Sequence, residues 1–306
     1  MGTYDYRFTV FTPAYNRAYI LEKLYASLQR QSFRNFEWLV VDDGSTDDTA
    51  ALLKKLQQEE NFFPIRYLKK ANGGKHTAIN AGAEAARGEL FMIVDSDDYL
   101  TENALEQADI LEKSVPGDER QKFAGVCGQR GYDSQNPIGT TFDGDTLDIT
   151  VLQRMENGIT GDKAEIIYTD VMKKYPFPVF EGERFLTECV VWNRMAADGW
   201  WLRFSQDIMI VTHYLQDGLT SQGQQTLFEK NPRGYGLYLS QQSRYEHWPK
   251  ERVKETCRDY YYQFRDRMTQ KEMAQSLQIS PVLFRCFISY MRFSQAIREK
   301  ILKKET

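Results

Sequence analysis

Along the first hundred residues, short apolar runs alternate with amphipathic segments. Tyr6 to Phe11 mixes apolar and β-branched residues as a strand does, and Thr12-Pro13-Ala14-Tyr15-Asn16-Arg17 breaks it. Ile20, Leu21, Leu24 and Leu28 then recur at helical spacing. Phe36 to Val41 is a second strand pattern, ended by Asp42-Asp43-Gly44-Ser45. Ser45 or Thr46 is expected to cap the next helix, whose buried stripe is Leu52, Leu53 and Leu56. Ile65 to Leu68 is a short third strand. Asn72-Gly73-Gly74 turns into a helix carrying Ala78, Ile79, Ala81 and Ala83, Gly88 ends it, and Leu90 to Val94 forms a fourth strand. This β-α-β-α-β-α-β order predicts an α/β fold: a mostly parallel, doubly wound sheet with helices on both faces. Ligands of such sheets bind beyond the carboxyl ends of the strands. Three of the four strands end in the polar clusters TPAYNR, DDGSTDD and DSDD, which the topology gathers on one edge.

From about 120 to 220 the pattern is less regular. Glycine and aspartate are dense from Gly125 to Asp148, which predicts hairpins and loops. Leu147 to Met155 and Thr187 to Ala197 read as helices, and Trp200 to Tyr214 as paired strands. Beyond about 225 helical patterns dominate, with a tyrosine run, Tyr260-Tyr261-Tyr262, and a basic end. The expected organisation is a 1–220 domain of two halves, 1–105 and 106–220, followed by a mainly helical extension over 221–306.

Composition narrows the class. With 306 residues, 42% hydrophobic and 27% charged, the chain reads as an ordinary globular protein. No apolar run approaches the ~18 residues that span a bilayer, and Met1 to Phe8 has no apolar signal core, so a cytoplasmic protein is expected. Cys127, Cys189, Cys257 and Cys286 are far apart, match no metal spacing and read as reduced thiols. A net charge of −4 argues against general nucleic-acid binding.

The run Phe91-Met92-Ile93-Val94-Asp95-Ser96-Asp97-Asp98 ends an apolar strand in three carboxylates. A divalent cation, a basic side chain or solvent has to offset their repulsion. Together with TPAYNR, QSFRNFEWLVVDDGSTDDT, NGGKHTAINAG and RGELFMIVDSDDYL, in that order over residues 6–105, the run resembles the nucleotide-binding half of a family 2 glycosyltransferase with the A-type fold. The likeness continues through FEGERFLTECVVWNRMAADG and HYLQDGLT to about residue 220.

The resemblance implies a nucleoside diphosphate sugar donor, uridine-linked. Pro13 would meet the base through its backbone, Tyr15 would stack on it, and Asp43 would accept its imide N–H. Asn72 belongs to the same donor set. Lys75, after a glycine turn and at a helix start, suits a phosphate. Asp95 and Asp97 suit Mg2+ or Mn2+ bridging to the pyrophosphate, with Asp98 nearby. Taken alone, Asp42-Asp43-Gly44-Ser45 also reads as a plain turn and helix cap.

Transfer to a hydroxyl needs a general base, and a single displacement inverts the anomeric centre. The family places an aspartate at a helix start, six residues before an arginine. Here Glu188 precedes Arg194 by that spacing, with Cys189 beside it. This departure also admits a catalytically impaired nucleotide-sugar-binding or scaffold protein. Glu181, Glu183 and Asp162 are alternative acids, His213 is an alternative metal ligand, and Trp200 and Trp201 are candidates either for stacking an acceptor sugar or for the core.

Residues 281–306 carry six basic side chains against two acidic ones, a net of +4, interleaved with Leu283, Phe284, Phe287, Ile288, Met291, Phe293, Ile297 and Ile301. Such a helix lies on an anionic membrane surface or packs on the protein. The expected partners are the donor and a glycan or lipid-linked acceptor of bacterial surface polysaccharide assembly, with peripheral contact at the inner face of the membrane.

Overall fold

The computed structural model describes the backbone of residues 3–213, 215, 218, 221 and 223–305, and side chains as far as 294. The chain folds as two compact units, 1–179 with 191–223, and 180–190 with 224–306.

The first unit is built on one sheet. Strands β1 (Tyr6–Ala14), β2 (Phe36–Asp42), β3 (Ile65–Lys69) and β4 (Gly88–Ile93) run parallel in the order β3-β2-β1-β4, as the alternation predicts. Ala14 pairs with Asp42, and Asp42 with Lys69, so the carboxyl ends are level. The helices between them are α1 (Leu21–Gln29), α2 (Thr49–Gln57) and α3 (Lys75–Ala85). Leu21, Leu24 and Leu28 of α1 and Leu53 and Leu56 of α2 join Phe8, Val10, Trp38 and Val40 in one apolar core. The opposite face of the sheet carries Phe11, whose ring stacks on Phe91 at 5.0 Å, and α3 lies against it. Gly82 permits that approach: a Cβ there would stand 2.2 Å from the Phe11 ring.

Beyond β4 the sheet becomes mixed, continuing β4-β8-β6-β9-β5 with β7 beside β9. The remaining strands are β5 (Tyr99–Leu100), β6 (Phe123–Gly131), β7 (Thr146–Ile149), β8 (Lys163–Tyr168) and β9 (Trp201–Val211), with helices α4 (Ala104–Lys113), α5 (Thr169–Lys174) and α6 (Cys189–Ala197). Among the described residues of this half, only β6 and β9 pair in parallel.

Two expectations change here. The helix read over Leu147 to Met155 is instead β7 followed by a 3-10 turn, Val151–Gln153, closed by a Thr150–Gln153 capping box. Asp148 faces Arg203 across the β7–β9 ladder and pairs with it at 2.7 Å, so a cross-strand ion pair overrides local helix propensity. Trp200 to Tyr214 is not a hairpin but one long bulged strand, β9, flanked by β5, β6 and β7; Tyr214 lies outside the described residues.

The second unit is helical: α7 (Gln224–Lys230), α8 (Pro232–Tyr245), α9 (Lys250–Phe264), α10 (Gln270–Ser276) and α11 (Pro281–Glu305). The tyrosine run splits by helical phase. Tyr260 and Tyr261 are buried with Phe264, Met273, Phe284 and Ile288, whereas Tyr262 faces out. The basic end is helical, as expected, but its side chains beyond 294, including Arg298, Lys300, Lys303 and Lys304, lie outside the described residues. Among the described residues no helix is long and apolar enough to cross a membrane.

Candidate active site

The three polar strand ends meet as the topology requires, and they interlock. Asn16, after β1, adopts a left-handed φ of 54°, which asparagine tolerates better than most residues. Its Oδ1 accepts the Thr46 N–H at 2.9 Å, and its own N–H donates to Ser45 Oγ at 2.8 Å. Ser45 therefore ties two loops together rather than capping α2. The α2 start is served by Asp47, which accepts the Thr49 N–H and hydroxyl at 3.1 and 2.6 Å. Tyr15, held between these anchors, is 47% exposed, while Pro13 is buried within β1 opposite Val41.

Asp42 and Asp43 are both buried but face different partners. Asp42 accepts the Ser45 N–H at 2.6 Å and the Tyr67 hydroxyl at 2.7 Å. Asp43 accepts the N–H groups of Gly73 (3.0 Å) and Gly74 (2.7 Å) and the Lys70 ammonium (2.6 Å). A carboxylate offers about four lone-pair positions, so these donors leave one, on Oδ2. Gly44, at φ 85°, allows the β2 and β3 loops to nest: a Cβ there would lie 2.8 Å from the Asn72 nitrogen. Asp43 thereby shapes the turn that delivers Lys75 to the first position of α3.

Lys75 does not point into an empty anion site. Its Nζ lies 2.7 Å from Asp95 Oδ1. Arg130, on β6, reaches past β8 to the same loop, with Nη1 2.5 Å from Asp98 Oδ2 and 3.8 Å from Asp95 Oδ2. The His213 backbone N–H donates to Asp98 Oδ1 at 3.0 Å, so His213 touches the cluster through its main chain. Burial alone would raise the Asp95 carboxyl, but Lys75 and Arg130 outweigh it and hold that group below its usual range. Burial and the neighbouring Asp95 charge raise Asp97. Burial pushes Asp98 up to about 7 against the pull of Arg130.

Among the described residues no three histidine, cysteine or acidic side chains converge on one metal position. Asp95 and Asp97, both partly exposed, nevertheless fit a hard cation that arrives with phosphate oxygens and water, since Mg2+ often takes only one or two protein carboxylates. Asp98, committed to Arg130 and His213, is left to hold the loop.

The remaining candidates separate. Glu188 is half-buried, in the second unit by contact grouping, one residue before α6. Its neighbour Cys189 contacts Thr187 Oγ1 at 3.1 Å, and burial pushes that thiol up to about 11. Arg194 donates to the Pro176 carbonyl at 3.1 Å. Glu183 is buried and accepts the Arg233 and Gly234 N–H groups at 2.7 and 2.8 Å, so it closes the start of α8. Asp162 and Glu181 are exposed. Of HYLQDGLT, Tyr214, Gln216, Asp217, Leu219 and Thr220 lie outside the described residues. Arg130 carries no motif in the sequence: it lies in the glycine-dense stretch from Gly125 read as hairpins and loops, whose first residues form the buried strand β6.

Known proteins resemble this chain in sequence and in fold. Residues 9–143 match the profile "Glycosyl transferase family 2". A GalNAc(5)-diNAcBac-PP-undecaprenol beta-1,3-glucosyltransferase of Campylobacter jejuni is 31% identical over 146 residues, 46% of this chain and 44% of that protein. The poly(ribitol-phosphate) beta-N-acetylglucosaminyltransferase TarS of Staphylococcus aureus is 36% identical over 33% of this chain and 18% of its own length. The chain thus spans less than half the length of these curated relatives. In structure, S. aureus TarS 1-349 in complex with UDP-GlcNAc superposes with a TM-score of 0.59 at 17% identity, covering 94% of this chain and 92% of that one. The mannosyltransferase PcManGT from Pyrobaculum calidifontis, in complex with GDP-Man and Mn2+, gives 0.53 at 18% identity over 81% and 66%. These two share the fold. The match to glycosyl transferase family 2 itself lies over residues 9–143, which hold the loops after β1, β2 and β4.

Proposed function

We propose that this chain is an inverting, metal-dependent glycosyltransferase. It moves a sugar from a nucleoside diphosphate sugar, uridine-linked, to a hydroxyl of a glycan or glycolipid in bacterial surface polysaccharide assembly. The observation that carries this reading is the placement of Tyr15, Asp43, Lys75, Asp95 and Asp97 on the four loops that leave β1, β2, β3 and β4 at one sheet edge.

The half-exposed Tyr15 ring offers a stacking face for the base, and the open Oδ2 position of Asp43 suits an imide N–H. The Gly73-Gly74 turn, held by Asp43, aims the start of α3 and Lys75 at the pyrophosphate. Mg2+ or Mn2+ held by Asp95 and Asp97 supplies positive charge against the negative charge that grows on the leaving nucleoside diphosphate. Glu188 is the proposed base for the acceptor hydroxyl. In this scheme 1–105 is the donor half, 106–220 the acceptor half, and 221–306 an extension whose basic end touches the inner face of the membrane.

Incubation with a panel of labelled nucleoside diphosphate sugars and Mn2+ tests the activity. Turnover of one donor, blocked by a chelator and lost in Glu188→Gln while donor binding persists, is expected. Donor binding without turnover of any sugar would favour a catalytically impaired nucleotide-sugar-binding protein, as Cys189 beside the base position admits.

A further inference from the structure

The first unit has a second recess, at the edge where β1 and β4 begin. It encloses about 540 Å³ and is walled by Tyr4, Tyr6, Phe123, Tyr168 and Trp200. A hollow of about 290 Å³ shares Arg7, Asn35, Glu89 and Arg120 with it, so the two form an elongated depression. The nine residues of β1, at a rise of roughly 3.3 Å each, place it about 30 Å from the donor loops. Its size is that of a ligand site.

The chemistry of the walls selects the occupant. Arg7 is bonded to Glu89 at 2.5 Å and Asp109 at 2.7 Å, and also to Glu112. Arg120 is paired with Glu89 at 2.8 Å and Glu112 at 2.6 Å. Both cations are answered within the protein, and acids outnumber them, so a phosphate or carboxylate gains nothing here. A purely apolar ligand would leave the polar rim of Asn35 and Gln121 without partners. The Trp200 indole is held in place, its N–H donating to Tyr175 Oη at 2.9 Å and that hydroxyl donating to Asp198 at 2.8 Å. Fixed aromatic faces beside amide, carboxylate and guanidinium groups suit the apolar ring faces and the hydroxyls of an uncharged sugar.

We propose that this edge binds an uncharged oligosaccharide at least two rings long. It anchors the acceptor chain away from the reaction centre and raises the local concentration of its reacting end. The anchoring role rests on the transferase reading; the binding does not.

Saturation-transfer NMR and calorimetry with linear hexasaccharides of glucose, galactose and N-acetylglucosamine, without nucleotide or metal, test it. At least one should bind, with the same affinity in Asp97→Ala. Its affinity should fall at least tenfold in Trp200→Ala, stay within a few-fold in Trp200→Phe, and fall several-fold in Asn35→Ala, whose exposed side chain sits at the rim. Failure of all three sugars to bind, or equal binding by Trp200→Ala and Asn35→Ala, would overturn the proposal. Sugar binding without transfer would sink the proposed reaction alone; transfer without sugar binding would sink this site alone.

Discussion

Lys75 Nζ sits 2.7 Å from Asp95 Oδ1, at the junction of the α3 start and the DSDD loop. The ammonium occupies a carboxylate oxygen that the proposed cation also needs. In the proposed scheme Lys75 would compete with the metal when no donor is bound and assist the donor when one is.

Lys75→Met is expected to separate these roles. Titrated with Mn2+ alone, the variant should bind the ion at least as tightly as the parent. Titrated with nucleoside diphosphate and Mn2+ together, it should bind about 10-fold or more weakly, the scale of one charge-assisted hydrogen bond. Calorimetry reads both; a parallel loss of both affinities would contradict the exchange.

Arg130→Met should strand Asp98, a carboxylate with 3% of its side chain exposed. Removing one partner of a buried ion pair costs about 3–5 kcal/mol, so urea unfolding should show a loss of that order. Asp98→Asn in the same background should recover part of it. An Arg130→Met protein as stable as the parent would show that the pair does not hold the loop.

Gly82→Ala tests the fit of α3 on the sheet. Alanine improves helix propensity by about 1 kcal/mol, yet its methyl would stand 2.2 Å from a fully buried phenyl ring. Overpacking of about 1–3 kcal/mol should prevail, lowering the melting temperature, with Phe11→Leu partly restoring it. A stabilised Gly82→Ala would mean that propensity wins.

Glu272 in the second unit accepts the Thr269 backbone N–H at 2.8 Å and the Arg233 guanidinium at 2.9 Å, and these bonds lower its carboxyl to about 2 from an ordinary 4.5. A depressed folded value stabilises above the unfolded value and is lost as the pH falls through the folded one. Between pH 4.5 and 2 the melting temperatures of the parent and Glu272→Gln should therefore converge. A difference constant across that range would rule out the carboxylate as its source.

The polar edge proposed to hold the donor was legible because its parts are local. Each strand end is marked by a polar cluster directly after an apolar run, and β-α-β order alone brings TPAYNR, DDGSTDD and DSDD together. Gly73-Gly74 before a helix was equally readable. What lay hidden depends on partners distant in sequence. Arg130 meets Asp98 across β8, which lies between β4 and β6, an order the irregular middle of the chain does not announce. Leu147 and Ile149 also fit a helix until Asp148 finds Arg203 on β9. Ser45 reads as a helix cap and Glu183 as an alternative acid until Asn16 and the start of α8 take up their bonding capacity.

The central claim is a metal-dependent nucleotide-sugar site on Asp95 and Asp97, and calorimetry with UDP-linked and GDP-linked sugars, with and without Mn2+, tests it most directly. The parent should bind one nucleotide class only when Mn2+ is present. Asp97→Ala, with an unchanged circular dichroism spectrum, should lose that binding by ~100-fold or more, the scale of removing one preorganised electrostatic contact. Binding that ignores Mn2+, or that survives intact in Asp97→Ala, would contradict it.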